Sequence, residues 1–301
     1  MRILKISVSV LAILSLVLFV IAFSSIRNIQ SEQITPDLHV LYGLGGNVGV
    51  LKTGEGAVIV DTMTFNMQGS MIREMAESLT GEQVVMVINT HYHSDHTHGN
   101  PAFAPGTRVI STERTLHHLK TTDSSYFSDE AASLLPNETI SSTQTLRLGN
   151  KTLLLVHPGR GHTDGDLVVV FQEDKAVHLG DLFFNRLYPN IDLEGGGSVQ
   201  NWGNSLDEVL KLSFDSVIPG HGKMATREDL LQFQQFIRQL ASVGTKAASE
   251  GKSLAAFQES SGLTEDAGYS EVRMIIPVGL NRNFVLKRSW EEANNRYIAR
   301  D

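Results

Sequence analysis

Val84-Val85-Met86-Val87-Ile88-Asn89-Thr90-His91-Tyr92-His93-Ser94-Asp95-His96 decides how this chain is read. Val84 to Ile88 is an unbroken apolar run, the pattern of a strand buried on both faces. Directly after it, four of the six residues from His91 to His96 are metal-ligand types, and the turn Gly99-Asn100-Pro101 follows. A polar loop that happens to be rich in histidine is the bland alternative. In an extended or tightly turned backbone alternate side chains fall on one side, so His91 and His93 can converge on one ion while Asp95 and His96 turn toward another. Imidazole and carboxylate without sulfur suit zinc, with iron and manganese as competitors.

Outward from that stretch, His39 to Tyr42, Asn47 to Lys52 and Gly56 to Asp61 read as short strands, the last two joined as a hairpin at Thr53-Gly54-Glu55-Gly56. Met71, Met75 and Leu79 at helical spacing predict a helix over 67–79, with Gly81 just past its end. Leu116 and Leu119 lie on a second helix, and 121–139, which contains Pro136, reads as a surface insertion. Strands follow near Leu146 and over 152–156, 167–171, 176–179 and 216–218, with a helix over 199–212. Two or three helices finish the chain from Arg227, the last over 283–300. Strands with interspersed helices in two similar halves predict an α/β (α+β) fold of two packed sheets with helices outside.

Three isolated residues complete a candidate ligand set. His162 lies in Gly161-His162-Thr163-Asp164-Gly165-Asp166, Asp181 follows Gly180 at the end of a strand, and His221 lies in Pro219-Gly220-His221-Gly222. Loops at strand ends hold ligands in fixed geometry, and glycine lets the backbone approach an ion closely. Each alone reads as a turn residue; the significance comes from combining them with the first cluster.

Composition removes competing classes. The 301 residues carry a formal charge of −8 and no cysteine, which excludes disulfides, thiolate zinc sites and cysteine nucleophiles. The acidic balance disfavours nucleic acid as a partner, since phosphate binding relies on clustered Lys and Arg. Arg2 and Lys5 precede Ile6 to Ile26, a run without charge that is long enough to span a bilayer as a helix. That layout predicts export, with the chain after Arg27 on the outer side of the cytoplasmic membrane, periplasmic or extracellular. Residues 1–26 are read as a signal peptide or an uncleaved membrane anchor, 27–36 as a linker, 37–245 as the catalytic domain and 246–301 as a helical extension packed on it.

With these motifs in place, from Asp61 to His221, the chain resembles the metallo-β-lactamase-fold hydrolase superfamily. The resemblance implies a four-layered αββα sandwich and a pair of zinc ions, with iron or manganese possible. Carried over by position, it implies that His91, His93 and His162 hold the first metal, that Asp95, His96 and His221 hold the second, and that Asp181 bridges them. Asp61 matches an acid that braces the ligand loop, although a strand-end cap would look the same. The implied chemistry is hydrolysis of an ester, thioester, lactone or amide of a small molecule, with a water shared by the two ions deprotonated to hydroxide and Asp95 orienting it. Without cysteine, the lactamase group that uses a cysteine ligand does not fit, and a carboxylate at Asp181 resembles the glyoxalase II, lactonase and general esterase branches. Phe184, where quorum-signal lactonases often have tyrosine, weakens the lactonase reading. A mononuclear iron oxidoreductase of the persulfide dioxygenase type and a β-lactam hydrolase are the competing readings.

Other residues take plainer assignments. His98, His117 and His118 fall outside the ligand pattern, and the helical pair is expected at the surface. His178 is expected to be a satisfied core histidine, and His157 a partner of the site at most. Gly43-Leu44-Gly45-Gly46-Asn47 opens no helix and is not a phosphate loop. Tyr188 to Ser198 either borders the substrate pocket or is an ordinary loop.

Overall fold

The structure is a computed structural model and describes residues 13, 15–17, 20–272 and 279–296. Residues 6–12, 14, 18 and 19 of the uncharged N-terminal run lie outside the described residues, as do 297–300 of the expected last helix. Among the described residues no helix is long and apolar enough to cross a membrane.

Two sheets face each other. The first has seven strands in sequence order: β1 (Gln30–Gln33), β2 (Leu38–Tyr42), β3 (Val48–Leu51), β4 (Ala57–Val60), β5 (Val84–Ile88), β6 (Arg108–Thr112) and β7 (Glu138–Ile140). In the second, β8 (Thr143–Leu148), β9 (Lys151–Val156), β10 (Val168–Phe171), β11 (Ala176–His178), β12 (Ser216–Ile218) and β13 (Ala225–Thr226) also lie side by side in order. Period-two alternation divides each strand between two cores. Val58, Val60, Val169 and Phe171 point between the sheets, while Ile59 faces outward onto Ile72 and Ala76 of helix α1 (Asn66–Thr80). Val168 and Val170 face the other way, toward α4 (Val199–Leu210), α5 (Arg227–Ser249) and α7 (Arg282–Ala293). Two sheets inside and helices outside make the expected αββα sandwich.

Local chemistry explains the ends of the elements. Gly81 closes α1 in the left-handed region (φ 72°), with its N–H on the Glu77 carbonyl at 2.9 Å. Thr226 and Asp229 form a capping box that starts α5. Two short helices, α2 (Ser94–Thr97) and α3 (Glu113–Thr121), follow β5 and β6, and α6 (Leu254–Glu259) precedes α7. α1 meets the ligand loop backbone to backbone: a Cβ on Gly69 would strike the Gly99 carbonyl, and one on Gly99 would strike the Thr62 carbonyl.

Several expectations are corrected. Residues 27–36 are not simply a linker, because Gln30–Gln33 pairs antiparallel with β2 as an exposed edge strand. The expected division at 245 falls inside α5, which is continuous from Arg227 to Ser249. The segment 121–139, read as an insertion, contains a 3₁₀ turn (Asp129–Leu134) and leads into β7, which extends the sheet parallel to β6. β6 itself was not read.

At the far end of the sandwich from the ligand residues, Lys151 lies 2.9 Å from both Asp37 and Asp174, joining the two sheets. β4 and β5 are parallel, as are β11 and β12, so the carboxyl ends of each pair open on one edge. That edge is where an open sheet accommodates a site.

Candidate metal centre

All seven residues expected as ligands meet at that edge. Two sets have ligand atoms within 4.8 Å of one another: His91, His93, His162 and Asp181, and Asp95, His96 and His221. The chain after β5 supplies His91 and His93, α2 carries Asp95 and His96, and the loop between β9 and β10 carries His162. Asp181 sits in a 3₁₀ turn just after β11, and His221 follows β12. His91, His96, His162 and Asp181 are buried, whereas Asp95 (24% of its side chain exposed), His93 (19%) and His221 (15%) stand at the rim.

Each of four imidazoles is held by its outward nitrogen. His96 Nδ1 donates to Asp61 Oδ2 at 2.7 Å. Asp61 also accepts from the Thr90 N–H at 2.8 Å and the Thr90 hydroxyl at 2.7 Å. With that hydroxyl proton committed, Thr90 Oγ1 accepts from His91 Nδ1 at 3.1 Å. His162 Nδ1 donates to the Asn190 carbonyl at 2.9 Å, and His93 Nε2 donates to Asp192 Oδ2 at 2.9 Å. Because carbonyl and carboxylate oxygens only accept, these partners assign the tautomers and leave His91 Nε2, His93 Nδ1, His96 Nε2 and His162 Nε2 as inward lone pairs. His93 Nδ1 then lies 3.2 Å from His91 Nε2 and 2.8 Å from His162 Nε2. Three lone pairs at such distances repel unless a cation or a proton lies among them.

Asp181 faces both sets. Its Oδ1 is 3.0 Å from His96 Nε2 and 3.4 Å from His221 Nε2, and its Oδ2 is 3.5 Å from His162 Nε2 and 3.9 Å from His91 Nε2. Among the described residues, His96 Nε2 and Asp181 Oδ1 are buried with no hydrogen-bond partner, although buried polar atoms are normally paired. Orphaned donor atoms of the right kind, converging on one space, fit divalent cations.

The protonation tendencies follow from the same crowding. Burial drives His91 well below its ordinary range, with neighbouring His96 adding to the effect, and burial takes His162 down to about 4. At His96 burial is outweighed by Asp181, Asp95 and Asp61, which hold it well above its ordinary range. At His221 burial is likewise outweighed by Asp181 and Asp95, and the ring is pushed up to about 9. His93 is raised against its burial by Asp192. Burial works against ionised Asp181 and Asp95, but the surrounding imidazoles hold both below the usual carboxylate range. Metal-free, the cluster relieves its repulsion with protons.

Of the residues that hold these rings, sequence reasoning named Asp61 and missed Thr90, Asn190 and Asp192. Asp192 accepts from His93, from the Tyr92 hydroxyl and, through Oδ1, from the Gly195 N–H at 2.9 Å. The one signal was an acid ahead of three glycines in the segment 188–198, which does border the site. His118, expected at the surface, is buried: its Nε2 bonds Asp164 at 2.8 Å and its ring stacks on Tyr92, while His117 is exposed. His98 pairs with Asp123 at 2.8 Å, outside the cluster. His178 is the satisfied core histidine expected, between the Asn47 carbonyl and the Gly180 N–H, both at 3.1 Å. His157 bonds the Asp166 carbonyl at 2.8 Å. Gly46 lies against the His96 ring, where a Cβ would overlap it.

A sequence model of the metallo-beta-lactamase superfamily matches residues 41–221. The chain is 30% identical over 185 residues to a metallo-beta-lactamase type 2 of Bacillus sp. (strain 170), covering 60% of this chain and 68% of that protein. It is 26% identical over 200 residues to an atrochrysone carboxyl ACP thioesterase of Claviceps purpurea (strain 20.1), covering 63% of this chain and 56% of that one. Among solved structures, the metallo-beta-lactamase from Pontibacter korlensis superposes with a TM-score of 0.61 at 18% identity, over 70% of this chain and 99% of its own.

Proposed function

This chain belongs to the metallo-beta-lactamase superfamily and is a hydrolase; from that premise we propose that it works with two zinc ions on carbonyl substrates. His91, His93 and His162 would hold one ion, Asp95, His96 and His221 the other, and Asp181 both. The observation that carries this reading is the placement of the Asp181 oxygens, one toward each set. Divalent cations there would supply Lewis-acid polarisation of a carbonyl and would acidify water toward neutrality.

The protein's own groups do the rest. Asp95 reaches the rim and orients the attacking water. A cavity of about 490 Å³ beside His221, walled by Tyr42, Leu44, Leu187, Lys223 and Val272, receives the substrate. Its lining, apolar with Lys223 and Glu271 among the polar groups, suits an acyl group with a polar end. The absence of cysteine, the carboxylate at Asp181 and the thioesterase relative favour esters or thioesters. β-Lactam hydrolysis is the second reading, favoured by the relative of 30% identity.

Metal analysis of the full-length protein in detergent, joined to assays with thioesters, esters, lactones and a penicillin, tests both. Two zinc ions per chain and preferred turnover of esters or thioesters are expected. A single iron would overturn the dinuclear zinc reading, and penicillin turnover without esterase activity would establish the second. We also propose that the catalytic domain lies outside the cytoplasmic membrane, on the support of Arg2 and Lys5 ahead of the uncharged run. A reporter fused after Asp301 that is active only in the cytoplasm would refute that.

A further inference from the structure

Helix α7 lies well beyond the end of the superfamily match at residue 221, yet it grips a segment that touches two of the proposed ligands. Arg288 Nη2 is 2.7 Å from Glu194 Oε2, and its Nη1 is 3.1 Å from Glu291 Oε2. One turn on, Glu292 accepts from the Ser198 hydroxyl at 2.6 Å and from the Gln200 N–H at 3.2 Å. Glu194 and Ser198 bracket Gly195, Gly196 and Gly197, and the same segment begins with the Asn190 carbonyl on His162 and the Asp192 carboxylate on His93.

Backbone bonds connect the two ends of this strap. The Gly197 N–H reaches the Asp192 carbonyl at 2.7 Å, and the Ser198 N–H reaches the Gly161 carbonyl, next to His162, at 2.8 Å. Three consecutive glycines give a segment with much backbone freedom to lose. Its conformation therefore depends on anchors beyond itself, and two of these are on α7.

We infer that Arg288 and Glu292 are positioning residues which act through residues 190–198 to hold the imidazoles of His93 and His162, so that α7 sets the affinity for the ion at His91, His93 and His162. The inference rests on the dinuclear reading above for its metal consequence, and on the hydrogen bonds alone for its effect on the rings. Glu194 is half exposed (52%), so its ion pair is worth little in isolation. The expected effect is correspondingly below the 10- to 100-fold of a direct partner of a ligand, about five- to tenfold. A helix that served only to cover the core through Val285, Leu286 and Trp290 would make these polar contacts dispensable.

The test is the full-length double variant Glu194→Ala, Glu292→Ala, which leaves that apolar face intact. Lys287→Ala on the same helix is the control; its pair with Glu291 at 3.6 Å does not touch the strap. Zinc affinity is read by chelator competition, and the exchange of the imidazole N–H protons of His93 and His162 is read by NMR with and without zinc. The double variant is expected to hold the more tightly bound ion about five- to tenfold less well and to exchange both ring protons faster. The control should match wild type in each, with similar metal-free thermal midpoints for all three. Wild-type affinity together with wild-type proton exchange in the double variant would overturn the inference. If wild-type protein binds fewer than two zinc ions, the dinuclear reading fails, and proton exchange alone decides the role of the strap. Should the double variant not fold, Glu194→Gln, which preserves shape at an exposed position, carries the same measurements.

Discussion

The two halves of the ligand cluster are held differently. Around His91, His93 and His162, every outward nitrogen has a protein partner, and two of the three partners come from one segment, 190–198. In the other half, among the described residues, only His96 is braced in this way, through buried Asp61. Asp95 and His221 stand at the rim, and the His221 ring is supported by stacking on Phe184, with centroids 5.1 Å apart. A site can thus combine a rigid half with a looser one, and the looser half borders the cavity proposed for the substrate. The expected order of metal loss follows: the ion of the half with Asp95, His96 and His221 leaves first.

Asp181→Ala should break the distinction most severely. A carboxylate between two cations offsets a mutual repulsion that grows as the inverse of their separation. The variant is expected to keep about one ion by elemental analysis and to lose rate by two orders of magnitude or more. Two tightly held ions with normal turnover would remove the case for a bridge.

A matched pair sharpens it. Asp61→Asn and Asp192→Asn each put an amide where a carboxylate accepted from a histidine, one in each half. Each should weaken one ion by roughly 10- to 100-fold. Chelator titration should show Asp61→Asn losing the weaker ion sooner and Asp192→Asn loosening the tighter one. Identical titrations from both variants would mean that the halves are not independent.

pH offers a smaller lever. His221 is raised to about 9, so in the metal-free protein its interactions with Asp181 and Asp95 stabilise fully below its unfolded value near 6.5. That stability fades as pH rises through about 9. A cation must displace the same proton, so affinity for the weaker ion should rise as pH rises toward about 9, with raised His96 adding to the slope. His221→Gln should reduce that slope in a zinc titration and lessen the fall of the metal-free thermal midpoint as pH rises from about 6.5 to about 9. The smallest effect should come from Phe184→Leu, where losing a ring contact worth ~0.5–1.5 kcal/mol weakens the same ion by about two- to tenfold. An equal change in the tighter ion would contradict the assignment of His221.

What could be read in advance was what is local. β5 and β12 begin and end at the residues expected, because the apolar run of one and the Val217-Ile218 pair of the other are each stopped by polar or turn residues. The ligand types were legible because His91 to His96 concentrates them, and the three isolated ligands each lie beside glycine. β1 was illegible for the opposite reason: Gln30-Ser31-Glu32-Gln33 has no apolar face and becomes a strand only because β2 offers it an edge. His118 was misplaced because its partner, Asp164, lies 46 residues on, and beside exposed His117 it has the same local sequence signal. Asp192 could not be foreseen, since its role depends on a ring 99 residues earlier. Pairings across the fold leave no periodicity to detect.

The contact of Gly69 with Gly99 has a mechanical consequence. Where helix and ligand loop meet through side chains, a rotamer can turn to absorb a small displacement. Here backbone lies on backbone, so the joint has no compliant layer and acts as a datum surface against which the His91 to His96 loop is gauged. A shift of α1 would reach the loop without attenuation. In a mutational library these two positions should be nearly closed to substitution, while exposed Phe65 and Leu79 near the ends of the same helix stay open.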